Sequence, residues 1–104
     1  MENKFYHLRY LPIFEQDLIS TANYITNVLK NEDAALRLID DVEAAILERL
    51  NNPVAFEPYI SAKKRDYLYY RIYVRNYVIY YVVIDDVMEV RRLLYGARDT
   101  NKQL

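Results

Sequence analysis

An α+β fold is what this sequence predicts: one strand, two helices folded back as a hairpin, then three strands in an antiparallel meander. The helices are expected to pack on one face of an antiparallel sheet (order β-α-α-β-β-β). Three observations carry this. The stretch from Tyr69 to Arg98, YYRIYVRNYVIYYVVIDDVMEVRRLLYGAR, is dominated by valine, isoleucine and tyrosine, which suit a pleated, half-buried surface. Upstream, two segments carry apolar residues at spacings of three and four, the stripe of an amphipathic helix. A very short link joins those two segments, so they must fold back on each other.

Taken in order, residues 4–11 (KFYHLRYL) alternate loosely and read as the first strand. Pro12 suits a first helical turn, where its missing N–H is not needed. Phe14, Leu18, Ala22, Ile25 and Leu29 form one apolar stripe. Asn31 can end that helix and cap the next, with Glu32 and Asp33 placed to complement the dipole. Ala35, Leu38, Ile39, Val42, Ala45, Ile46 and Leu50 continue the same period until Asn51-Asn52-Pro53 stops it. Residues 53–68 are irregular and contain the basic run Lys63-Lys64-Arg65, a solvated loop or a contact for an anionic partner. The tail after Arg98 is polar.

Within the meander, Arg75-Asn76 and Asp85-Asp86 are the two bends. If each is a two-residue loop, the register follows, because side chains alternate faces with period two. Tyr73 then faces Val78, Arg71 faces Tyr80, and Val82 faces Glu89. Tyr80 neighbours Arg91, and Val78 neighbours Leu93. These residues share an outer face with Tyr95 at its end. The opposite, core face holds Tyr70, Ile72, Val74, Tyr77, Ile79, Tyr81, Val83, Met88, Val90 and Leu94, with Arg92 its only charge.

The totals narrow the function. At 104 residues the chain is a single domain (1–104) with a core of its own. It has no cysteine, which rules out disulfides and thiolate metal sites and fits a reducing cytoplasm. His7 is the sole histidine and Gly96 the sole glycine. Neither a zinc site nor a phosphate-cradling glycine loop can be built from them, so no metal and no cofactor is expected. No apolar run reaches a membrane span, and MENKFYHLRY lacks the apolar core of a signal peptide. The net charge of −1 is unevenly spread: residues 1–60 hold five bases against ten acids, residues 61–104 nine against five. The sheet half is therefore the half suited to an anionic partner. Its outer face supplies Arg71, Tyr73, Tyr80, Glu89, Arg91 and Tyr95, with Arg98 just beyond. Guanidiniums there can clamp phosphates and tyrosines can stack on bases. A face closed by cross-strand ion pairs, Glu89 with Arg91 or Arg71, is the bland alternative.

The stretch YRIYVRNYVIYYVVIDD, the closing YGARD and the helix-hairpin segment DAALRLIDDVEAAILERLNNP resemble the RelE/ParE superfamily of bacterial type II toxin–antitoxin toxins, over essentially the whole chain. The resemblance implies a cytoplasmic growth-arresting toxin held in a hetero-oligomer by a cognate antitoxin. Its target would be DNA gyrase, as in the ParE-like branch, or messenger RNA on the ribosome, as in the RelE-like branch. A third possibility is an inactive member that only binds its antitoxin. For the RNA-cleaving branch, Arg71 matches a strand base and Arg98 the arginine after the last strand, with Arg91 beside them. Tyr73, Tyr80, Tyr95 and Glu89 would have to move the protons, since arginine stays charged. The chain departs from that branch where Tyr73 and Val78 replace bases, and where Gly96 and Ala97 occupy the place of a histidine. A catalytic tyrosine near the C-terminus is also unmatched. These departures and the acidic balance favour a protein target, with Lys63, Lys64, Arg65, Tyr80 and Glu89 as binding candidates.

Overall fold

A computed structural model describes residues 5–59 and 67–96. Its elements are β1 (His7–Tyr10), α1 (Pro12–Asn27), α2 (Glu32–Arg49), β2 (Tyr70–Val74), β3 (Tyr77–Ile84) and β4 (Val87–Tyr95). The strand order across the sheet is β1-β4-β3-β2. One expectation needs correcting here: the sheet is mixed, because β1 lies parallel to β4, His7 opposite Val87 and Arg9 opposite Glu89. A partner so distant in sequence is not encoded by the hydrophobic period of either strand, which fixes only the side chains that share a face.

Pro12 opens α1, and Phe14 and Ile25 are its buried residues. Leu29, expected to extend that stripe, lies past the helix end and is 56% exposed; Lys30 turns the chain with a φ of 55°. Asn31 caps α2, its side-chain oxygen accepting from the Ala34 N–H at 3.1 Å. Leu38, Val42 and Ile46 of α2 pack against Ile79, Tyr81, Met88 and Val90 of the sheet to form the main core. Arg49, in the last turn of α2, donates to the Arg71 carbonyl and the Tyr81 hydroxyl, both at 3.0 Å. The Tyr81 hydroxyl in turn donates to the Pro53 carbonyl at 2.7 Å, so this buried phenol is satisfied. No helix among the described residues is long and apolar enough to cross a membrane.

Both bends take two residues, and β2 pairs with β3 in the expected register, Arg71 opposite Tyr80 and Tyr73 opposite Val78. The left-handed backbone falls on Arg75 (φ 55°) rather than on Asn76. Arg75 reaches from that turn to Asp41 of α2, Nε to carboxylate 3.0 Å. Between β3 and β4 the pairing begins as expected, Val82 opposite Glu89, and then shifts by one. Tyr81 pairs with Val90 but Tyr80 pairs with Arg92, leaving Arg91 as the extra residue of a β-bulge. From there on the expected faces exchange. Leu93 joins the helix-side core, Leu94 joins the outer cluster, and Tyr95 pairs with Tyr77 instead of ending the outer face. A regular ladder would have set the Arg92 guanidinium opposite Ile79, which is 0% exposed. The bulge puts Leu93 there and lets Arg92 meet Asp17 of α1. The Asp17 carboxylate accepts from Arg92 Nε at 2.8 Å and from the Leu93 backbone N–H at 3.1 Å.

Candidate functional site

The face turned away from the helices carries a row of side chains that runs across all four strands. β1 and β4 are in parallel register, which sets Arg9 beside Glu89. Glu89 is 5% exposed, and both of its oxygens are taken: Oε2 accepts from Arg9, Nε at 2.7 Å and a second, shorter contact from its terminal nitrogen, while Oε1 accepts from Arg91 Nε at 2.8 Å. Arg91 also donates to the Tyr69 hydroxyl at 2.9 Å and lies over the Tyr67 and Tyr69 rings. Burial on its own would raise the Glu89 carboxyl; the guanidiniums of Arg9 and Arg91 outweigh it and hold the group below the usual carboxylate range. Arg91 moves the opposite way. Burial would lower it, but the bonds to Tyr69 and Glu89 raise it.

On the far side of the row, the Arg71 guanidinium lies 5.0 Å from the Tyr59 ring centroid and 5.7 Å from that of Tyr73. No carboxylate among the described residues pairs with it. Tyr59 also packs edge-on against Tyr80, centroids 5.8 Å apart at 73°. Tyr80, expected to be an open stacking platform, is only 3% exposed and belongs to a second apolar cluster with Tyr69, Val78, Val82 and Leu94. A shallow concavity of about 510 Å³ lies beside it, lined by Tyr59, Arg71, Tyr73, Val78, Tyr80 and Tyr95 among others.

The structure therefore brings together Arg71, Tyr73, Tyr80, Glu89 and Arg91. Tyr95 is paired with Tyr77, its ring edge-on at 5.4 Å, and borders the same concavity. Lys63, Lys64, Arg65 and Arg98 lie outside the described residues. Sequence reasoning missed Arg9, because the place of β1 beside β4 was not legible, and Tyr59 and Tyr67, because no period marks the segment that carries them; Tyr69, at the head of the strand-rich stretch, was assigned to neither face. The two groups on this face whose proton affinity is displaced, Glu89 downward and Arg91 upward, both become more firmly charged. Groups held charged in this way suit electrostatic recognition. No cluster able to hold a metal occurs among the described residues.

Residues 8–100 match the model of the family described as ParE toxin of type II toxin-antitoxin system, parDE. No curated protein sequence matches the chain. Among solved structures, the chromosomal ParDE toxin–antitoxin system from P. aeruginosa superposes with a TM-score of 0.67 at 14% identity, over 88% of this chain and 97% of that one. The RelB-RelE antitoxin–toxin complex from Methanococcus jannaschii aligns with a TM-score of 0.47 at 22% identity, over 91% and 95%.

Proposed function

The chain belongs to the ParE toxin family of type II toxin–antitoxin systems, and on that premise we propose that it arrests growth in the cytoplasm by binding a protein target, DNA gyrase, until a cognate antitoxin sequesters it. One observation supports the choice of a protein target: among the described residues, Glu89 and Arg91 at the centre of the outer face are locked to each other and held firmly charged. Cleavage of RNA needs an acid and a base that exchange protons. Binding a protein needs only a complementary surface, and tyrosine and arginine are the residue types that dominate binding hot spots. An overall charge of −1 also fits a protein target better than entry into ribosomal RNA.

Purified toxin added in excess to gyrase should inhibit supercoiling, and expression without antitoxin should induce a DNA-damage response. Undiminished supercoiling would remove gyrase as the target. A ribosome-dependent endoribonuclease is the second reading, favoured by Arg71 held between rings with no carboxylate partner among the described residues. It calls for cuts in messenger RNA on translating ribosomes, mapped by primer extension and lost in Arg98→Ala. Normal growth on expression without antitoxin would instead mark a member that only binds its antitoxin.

A further inference from the structure

We infer that the outer sheet face docks an acidic helical segment of the toxin's protein target, with Arg71 as the anchor. This deepens the protein-target reading and rests on it for the identity of the partner, although the chemistry of the face can be tested by itself. Charge complementarity is the argument. Among the described residues, the face holds three guanidiniums, Arg9, Arg71 and Arg91, against one carboxylate, Glu89. The surplus is split between two places. At one end Arg9 and Arg91 share a single carboxylate, and the side chain of Arg9 is 52% exposed. At the other end, the Arg71 guanidinium carbon lies 5.0 Å from the Tyr59 ring centroid and 5.7 Å from that of Tyr73. No carboxylate among the described residues pairs with it, and a guanidinium takes a two-oxygen acceptor bidentately.

Arg71 sits on β2 and the second centre on β4 and β1, two to three strand spacings away, about 10–14 Å. Carboxylates two turns apart on a helix are separated by about 11 Å, which matches that spacing. A nucleic-acid strand would want a continuous track of cations. Here the middle of the row is instead Tyr80 and its buried apolar neighbours, with the Tyr73 ring, 66% exposed, at the rim. An acidic helix with its carboxylates two turns apart meets both ends and passes over a closed middle, with the exposed Tyr73 ring beside it at the rim.

The test uses isotope-labelled toxin purified without antitoxin and three probes. These are a helical peptide with two glutamates seven positions apart, its glutamine counterpart, and a short single-stranded RNA. The acidic peptide should shift the signals of Arg71, Tyr73 and Arg9 saturably, and the glutamine peptide should bind roughly tenfold more weakly. Arg71→Gln, confirmed folded by its unchanged spectrum elsewhere, should lose about tenfold, and Tyr73→Ala a smaller factor. Equal binding of the two peptides, shifts confined to other surfaces, or tighter binding of RNA to these residues would each overturn the inference. The same Arg71→Gln toxin should keep its affinity for the antitoxin to within roughly threefold. A loss there as large as for the peptide would give the face to the antitoxin and also overturn the inference. Failure to inhibit gyrase with peptide binding intact would sink the choice of target and leave the face standing.

Discussion

Glu89 is enclosed by the two guanidiniums it joins, so removing its charge takes the carboxylate from both and leaves Arg91 with only the Tyr69 hydroxyl and the tyrosine rings. Glu89→Ala should lower unfolding stability by about 3 kcal/mol, read from the midpoint of urea denaturation. The same contact predicts a pH dependence. The carboxyl is held below its ordinary value of 4.5 in the folded state. In the window beneath that value the unfolded chain binds the proton more readily than the folded one does. Stability from this group is therefore complete above pH 4.5 and is lost as pH falls through the lower folded value. In acid titrations followed by denaturation, Glu89→Gln should show a shallower decline there than the natural chain. At Tyr81 the hydroxyl bridges Arg49 and the Pro53 carbonyl; Tyr81→Phe should cost about 1–2 kcal/mol by taking the phenol donor from the Pro53 carbonyl, while Arg49 keeps the Arg71 carbonyl.

The elements were legible where a period or a cap writes them into the chain. The stripes of α1 and α2, the Asn31 cap and the two-residue bends follow from side-chain spacing and turn chemistry. Asn31→Ala should cost about 1 kcal/mol of thermal stability for the same reason. Two features of β4 were not legible. The bulge at Arg91 answers a conflict that appears only when strands are paired: a regular ladder would bury Arg92 opposite Ile79. Because the sequence Arg91-Arg92-Leu93-Leu94 repeats each residue type, alternation alone reads the same in either register. Its partner in the structure, Asp17, sits 75 residues away from Arg92 in sequence. Asp17→Ala should therefore destabilise the fold by about 2–3 kcal/mol and expose the Leu93 amide to hydrogen exchange. The candidate site was legible in its residue types, Arg71, Tyr73, Glu89 and Arg91. That Glu89 and Tyr80 are buried was not, because Arg9 covers the first from a strand whose neighbour the sequence does not mark and Tyr59 covers the second from a segment without periodicity.

Over the whole molecule, acidic helices stand on one side of a sheet whose other face is basic. A target carrying negative charge is thereby oriented before contact, and its association rate should fall by roughly tenfold from low salt to several hundred millimolar, measurable by stopped-flow mixing with a labelled partner. Chain order has a further consequence. Among the described residues, β1 (7–10) finds its one strand neighbour in β4, at residues 87–90. During synthesis the opening segment must wait for nearly everything else to be made, because only the closing strand gives it a place in the sheet. A fragment ending at Asp86 should show no dispersed amide spectrum. For a member of a toxin family, β4 thereby acts as the arming pin: until residues 87–95 are made, β1 has no place in the sheet and the fold stays incomplete.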